Sequence, residues 1–109
     1  MHEQHAACIQ TCYDCASACN HCATACLKED DVKAMARCIS LDIDCAQACV
    51  LAAAMMARGS EMAQHACQIC ADISAACAQE CAKHQHDHCQ KCAQACQKCA
   101  EACRKMAAA

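Results

Sequence analysis

The amino-acid sequence predicts an all-α fold, an antiparallel up-down-up-down four-helix bundle with a cysteine-lined core. Proline is absent, and Gly59 is the only glycine among 109 residues. Alanine, the best helix former, is abundant, and few strand-forming residues alternate at period two. Short polar breaks divide residues 1–109, which we expect to be a single metal-storage domain, into four long stretches. Long helices joined by short connections favour this bundle topology.

The first helix is expected over about residues 3–27. Its cysteines, in the stretch "CIQTCYDCASACNHCATAC" from Cys8 to Cys26, are separated by 4, 3, 4, 3 and 4 residues. This spacing places every thiol on one face of a helix. The helix should end before "KEDD", where Asp30 or Asp31 could cap the next helix.

The second helix is expected over about residues 31–57, and it ends near the glycine. In "RGSE", Gly59 suits the C-terminal end of a helix, and Ser60 suits the N-cap of the following one. The third helix is therefore expected over about residues 61–84.

The polar segment "KHQHDH" separates the third helix from the fourth. Within it, Asp87 has the side chain of an N-cap, and Gln90 follows at the capping-box position. The fourth helix is therefore expected over about residues 88–106.

All eighteen cysteines keep one heptad phase. Every spacing within a helix is 3, 4 or 7 residues, which places the thiols on an a/d-type seam, the core-facing line of a bundle. The unit CAxxC occurs six times in the sequence, and its alanine lets neighbouring helices approach closely. We call this set the thiol seam: Cys8, Cys12, Cys15, Cys19, Cys22, Cys26, Cys38, Cys45, Cys49, Cys67, Cys70, Cys77, Cys81, Cys89, Cys92, Cys96, Cys99 and Cys103.

Charge and composition exclude several classes of function. The net charge is −3, and Tyr13 is the only aromatic residue, so no basic stripe or stacking platform for nucleic acid exists. The N-terminal residues have no signal-peptide pattern, and we expect no membrane-spanning helix because no uninterrupted apolar run of about 20 residues occurs. A cytosolic location, where thiols stay reduced, is the expectation.

Two explanations of the thiols are disfavoured. Free cysteine is a small buried hydrophobe, but leucine, isoleucine or valine would stabilise a core better. Along a helix, residues at i,i+3 and i,i+4 have Cβ atoms about 5–6 Å apart, whereas a disulfide needs about 3.5–4.5 Å. A reduced cytosol also opposes disulfides between helices. The remaining explanation is metal binding.

Charge helps to choose the metal. A closed four-thiolate zinc site retains two negative charges, and several such sites in a dry core would repel one another. A monovalent soft ion replaces one thiol proton per ion, and Cu(I) is the biological ion of this kind. We therefore expect storage and buffering of multiple Cu(I) ions per chain. A zinc or general soft-metal thiolate buffer is the alternative.

A thiol redox enzyme would need an exposed thiol of low pKa at a helix N-terminus. Cys89 is the nearest candidate, but the adjacent Asp87 would raise the pKa of its thiol. We therefore expect a protein without catalytic turnover.

Both ends of the thiol seam carry side chains that can bind Cu(I). The antiparallel arrangement gathers His5, Met56, Met62, His65 and Met106 at one end, the methionine end. It gathers Met35, His84, His86 and His88 at the other, the histidine end, which is expected to be the more polar mouth. Methionines can equally fill gaps in a core, and the histidines can equally belong to a solvated linker. Asp42 and Ser74 stand at seam positions where the pattern predicts cysteine. The candidate auxiliary metal ligands are His5, Met35, Asp42, Met56, His65, His84, His86, His88 and Met106.

The repeated CAxxC units, the common phase of the cysteines in all four helices and the His- and Met-lined ends resemble the bacterial copper storage proteins. The resemblance covers essentially the whole chain and is closest to the cytosolic members, which carry no secretion signal. It implies Cu(I) held inside each bundle by pairs of thiolates, protection against copper toxicity, and a homotetramer. A second apolar stripe on the second helix is the candidate subunit interface: Val32, Ile39, Ile43 and Val50.

Overall fold

The computed structural model describes residues 2–109, with side chains described from His5 onward. Most of these residues are helical, and no β-strand occurs between residues 2 and 109. The predicted all-α fold is confirmed. The four helices are α1 (His2–Leu27), α2 (Ala36–Ala57), α3 (Ala63–Ala82) and α4 (Asp87–Ala108).

The helices form an elongated bundle with extents of 45 × 17 × 17 Å. Helix α1 packs against α2 and α4, and α3 packs against the same two helices. Each helix therefore lies beside the helices that precede or follow it in the chain, as short connections require in an up-down-up-down bundle. One face of every helix points at the common axis, where the thiol seam lies.

The break between α1 and α2 differs from the sequence-based expectation. A single 3₁₀ turn, Val32–Met35, precedes α2, so the regular α-helix begins at Ala36 rather than at residue 31. Asp31 begins the 3₁₀ turn without a capping hydrogen bond from its side chain. The tighter turn carries Met35 into the core, where its side chain is fully buried.

At the break between α2 and α3, Gly59 has φ of +65°, the left-handed conformation that glycine adopts most readily. Ser60 is not the N-cap of α3. Its hydroxyl oxygen instead accepts a hydrogen bond from the backbone N–H of Met62 at 3.1 Å, and α3 begins at Ala63. The serine thus closes a local turn before the helix.

The N-cap of α4 is His86, and Asp87 is already the first helical residue. Gln90 does not close a capping box. Its side-chain amide donates hydrogen bonds to the carbonyl oxygens of His84 at 2.6 Å and Ala82 at 3.2 Å. Gln90 therefore satisfies the carbonyl of Ala82, which would otherwise lack a partner at the end of α3, and that of His84 in the connecting segment.

The core consists mainly of cysteine and alanine. All eighteen cysteines are buried, and none is more than 4% exposed. Of the predicted apolar stripe, Ile43 and Val50 are each 46% exposed. Ile39 is partly buried and packs against the core, and Val32 lies in the 3₁₀ turn rather than on α2.

One helical stretch, Val32–Ala57, is long and apolar enough to cross a membrane by length and composition alone. The core helix of a bundle has the same properties. The cysteines of this stretch and Asp42 face the bundle axis and are fully buried. Its apolar composition thus partly reflects a buried cysteine and alanine face.

Candidate metal centre

The four helices bring the thiol seam together as one column of sulfur atoms. Between helices, the Sγ atoms of Cys38 and Cys81 lie 3.3 Å apart, and those of Cys19 and Cys96 lie 3.6 Å apart. Along one helix, the Sγ atoms of Cys22 and Cys26 are 3.8 Å apart. A disulfide bond is only about 2.0 Å long. All eighteen cysteines are free thiols.

Groups of four thiols have every Sγ atom within 4.8 Å of the others. A metal–thiolate bond of about 2.3 Å lets one ion join two sulfur atoms up to about 4.6 Å apart. Ions between these thiols therefore need little movement of the helices. The groups also share members, since Cys19 and Cys96 both belong to two of them. The column is one continuous set of donors rather than a series of separate sites.

Burial favours the protonated form of two thiols near the histidine end, Cys26 and Cys89. It raises the pKa of Cys26 to about 11, and it raises the pKa of Cys89 above the ordinary range. A charged thiolate loses its hydration in this interior, so the neutral form is favoured. A metal ion that binds must therefore displace protons, and the number displaced per ion decides the charge left in the core.

Asp42 is fully buried in the thiol column. Its carboxylate accepts hydrogen bonds from the thiols of Cys77 at 3.2 Å, Cys92 at 3.3 Å and Cys81 at 3.4 Å. Burial, together with the neighbouring Cys92, raises the pKa of Asp42 from 3.8 to about 8. Asp42 also belongs to a potential metal-binding group with Cys22, Cys81 and Cys92.

Ser74, the other seam position without cysteine, is also fully buried. Its hydroxyl group lies 3.4 Å from the Sγ atom of Cys45 and 3.8 Å from that of Cys70. Serine thus keeps the hydrogen-bonded contact of the column while removing one soft ligand.

At the histidine end, His84 is held by a buried carboxylate. Its Nε2 atom lies 2.8 Å from Glu80, whose side chain is only 8% exposed. Glu80 also contacts Arg37 at 3.0 Å and Lys83 at 3.6 Å. The hydrogen bond with His84 lowers the pKa of Glu80. Sequence reasoning missed this glutamate, although its position four residues before His84 is the spacing of neighbours on one helix face.

His86 and His88 stack with their ring centroids 5.3 Å apart. Glu29 lies 3.4 Å from His86 and 3.6 Å from His88, and Asp31 lies 3.5 Å from His86. The Nε2 atom of His88 is buried and has no hydrogen-bond partner among the side chains described from His5 onward. This nitrogen is a candidate donor to a metal ion.

At the methionine end, His5, Met56 and Met106 line one cavity together with Cys67. His65, predicted to join this group, is exposed, and Met62 is 49% exposed. The structure therefore brings together three of the five predicted residues. It leaves His65 on the outer surface of α3.

Comparison with known proteins gives a consistent result. The family model of copper storage proteins matches residues 1–108. The uncharacterized cysteine-rich protein YhjQ of Bacillus subtilis is 51% identical over 108 residues, which is 99% of this chain and 100% of the relative.

Two solved structures have the same architecture. The Cu(I)-bound copper storage protein BsCsp3, from Bacillus subtilis, is 51% identical with a TM-score of 0.91, and the match covers 95% of this chain and 98% of that one. A cytosolic copper storage protein from Streptomyces lividans, seen with five coppers, is 42% identical with a TM-score of 0.94. That match covers 98% of this chain and 94% of the relative.

Proposed function

Because this chain belongs to the copper storage protein family, we propose that it stores and buffers Cu(I) on the thiols of its bundle core. The observation that carries the proposal is the continuity of the column, in which neighbouring groups of four thiols share cysteines. A shared thiolate can bridge two soft ions. The protein is cytosolic, like its Streptomyces relative.

Charge balance explains how a dry core can hold many ions. Each Cu(I) that binds takes the place of one thiol proton, which leaves to solvent, and the new thiolate donates its electron pair to the metal. The core gains one positive charge and loses another, so its net charge stays constant as it fills. Zn(II) in closed four-thiolate sites would instead leave two negative charges per site.

We propose all eighteen cysteines as the ligands, and a capacity of about one Cu(I) per thiol, as expected for doubly bridging soft thiolates. Met35, Asp42, His84, His86 and His88 are candidate auxiliary ligands of the inner column and the histidine end. His5, Met56 and Met106 are candidates at the methionine end. His65 is not retained, because it is exposed on α3.

Anaerobic titration against a Cu(I)-specific chelator tests this proposal. We expect the fully reduced protein to outcompete the chelator until about one ion per cysteine is bound. Saturation at only four or five ions would contradict it. A parallel competition between Zn(II) and Cu(I) tests the alternative of a zinc buffer, which requires Zn(II) to resist displacement.

The protein has no catalytic turnover in this proposal, and residues 1–109 act as one storage domain. Its apolar stripe on α2 is proposed as the contact between subunits of a homotetramer. Ile43 and Val50 would lose their exposure there. Light scattering tests the contact: Ile43→Asp with Val50→Asp should lower the molar mass, whereas Asp44→Asn on the same helix should not.

A further inference from the structure

The histidine end holds two pairings of imidazole with carboxylate, and their geometry differs. The Nε2 atom of His84 lies 2.8 Å from Glu80, an ordinary hydrogen-bond distance. Glu29 lies farther from its two histidines, with its Oε2 atom 3.4 Å from Nδ1 of His86 and 3.6 Å from Nε2 of His88. Both separations exceed the length of a good N–H···O hydrogen bond, about 2.7–3.2 Å. The first pairing is therefore satisfied by a hydrogen bond, and the second requires another explanation.

The Nε2 atom of His88 has a bonding capacity that the protein's own hydrogen bonds do not use. The atom is buried, and it has no hydrogen-bond partner among the side chains described from His5 onward. Leaving a buried polar atom unsatisfied is costly. When the imidazole proton is on the other ring nitrogen, the lone pair of Nε2 is free to bind a metal ion. A metal ligand is thus a role that suits this nitrogen.

The distances around Glu29 fit ligands of one shared metal ion. Zn(II) binds imidazole nitrogen at about 2.0–2.1 Å and carboxylate oxygen at about 2.0–2.2 Å, usually in tetrahedral geometry. Neighbouring ligand atoms of such a tetrahedron are roughly 3.4 Å apart. The distances of 3.4 and 3.6 Å from Glu29 to the two imidazole nitrogens match this value. The outer torsion of an imidazole side chain is soft, so each ring can turn its nitrogen towards the ion.

Asp31 lies on the other side of the His86 ring. Its Oδ1 atom is 3.5 Å from Nε2 of His86, whereas Glu29 is near Nδ1. A metal-bound histidine commonly donates its other N–H to a carboxylate, which fixes the tautomer and orients the ring. The two carboxylates also balance the charge of a divalent ion, whereas a monovalent ion would leave one negative charge. Cu(I) prefers thiolate and thioether, so these nitrogen and oxygen donors select a different metal from that of the thiol column.

We propose that Glu29, His86 and His88 bind one Zn(II) ion per chain. Asp31 orients His86, and a water molecule completes the tetrahedron. The site lies outside the thiol column, and its metal is not the stored copper. Glu29 belongs to the connection after α1, whereas His86 and His88 lie at the start of α4. One zinc ion thus links two connections that are distant in sequence.

Zinc binding to the Cu(I)-loaded protein tests the site, because copper then occupies the thiols that would otherwise bind zinc. Calorimetric titration with ZnCl₂ should find one ion per chain. Glu29→Gln keeps the size of the side chain and removes its charge, and it should weaken zinc binding at least about tenfold. Its Cu(I) capacity should equal that of the wild type. Asp30→Asn removes the same charge from an exposed neighbouring residue, and this control should bind zinc nearly as tightly as the wild type.

A second measurement needs no copper. In the reduced, metal-free protein with ¹⁵N-labelled histidines, ZnCl₂ should shift the ring nitrogen signals of His86 and His88, and it should leave those of the hydrogen-bonded His84 in place. Ring signals of His86 and His88 that stay unchanged at saturating zinc would overturn the proposal, as would equal weakening of zinc binding by Glu29→Gln and Asp30→Asn. Shifted ring signals together with a low copper capacity would support the zinc site while overturning the storage function.

Discussion

The buried carboxylate of Asp42 gives the apo protein a distinctive dependence of stability on pH. Its pKa is about 8 in the fold, against an ordinary value of 3.8. Between these two values the folded state holds a proton on Asp42 that the unfolded state releases. The stabilisation that this proton provides is fully present below about pH 4, and it is lost as pH rises towards about 8.

The size of the change in the free energy of unfolding follows from the single proton that the folded state binds and the unfolded state releases. Each differentially bound proton changes the free energy of unfolding by about 1.4 kcal/mol per pH unit. From pH 5 to pH 7, Asp42 should therefore lower the stability of the wild type by roughly 2–3 kcal/mol. The asparagine in Asp42→Asn has nearly the same shape and no titratable proton. The part of the pH dependence of stability that comes from Asp42 should therefore disappear in this variant.

Urea denaturation of the reduced, metal-free protein at pH 5, 6 and 7 measures the effect. The histidines are common to both proteins, so their contribution cancels in the difference between wild type and variant. Asp44→Asn provides a matched control, because Asp44 is exposed on the same helix. The explanation fails if wild type and Asp42→Asn show the same pH slope.

Two further predictions concern the column and the histidine end. Cys19 and Cys96 each belong to two groups of four thiols, so the double variant Cys19→Ala, Cys96→Ala should bind at least two fewer Cu(I) ions in the chelator titration. Ser17→Ala, an exposed change nearby on α1, should leave the capacity unchanged, and an undiminished capacity in the cysteine variant would argue against a shared column. Glu80→Gln weakens the contacts to His84 and Arg37, and urea denaturation should show a loss of roughly 1 kcal/mol, because Arg37 is largely exposed and only part of the interaction is desolvated. Glu61→Gln, at an exposed position, should change stability little, and an equal effect of both variants would show that Glu80 has no special role.

The helices and the thiol seam were predictable because periodic patterns repeat many times. The spacing of Cys8 to Cys26 alone samples several turns of α1, so one irregular residue cannot change its phase. The same regularity placed Asp42 and Ser74 at seam positions. In the structure both side chains are fully buried.

Helix ends were less predictable because each depends on the backbone conformation of one or two residues. Ser60 and Asp87 have side chains typical of an N-cap, but the helices begin after Met62 and His86. Gln90 reaches the carbonyl of Ala82 at the end of α3, a contact that exists only once α3 and α4 have packed.

The placement of His65 failed for a different reason. It lies two residues before Cys67, which is about 200° around a helix, so α3 directs it away from the seam. The contact between Glu80 and Arg37 could not be predicted from the spacing of residues along one helix. Arg37 belongs to α2 and becomes a neighbour of Glu80 only in the folded bundle.

In the proposed mechanism, Cu(I) fills the thiol column by replacing protons one for one. Counting bound copper by native mass spectrometry, together with the protons released into weakly buffered anaerobic solution, tests this exchange. We expect filling to continue to about one Cu(I) per cysteine, with about one proton released for each ion. Filling that stops at four or five ions, or release of two or more protons per ion, would contradict the account.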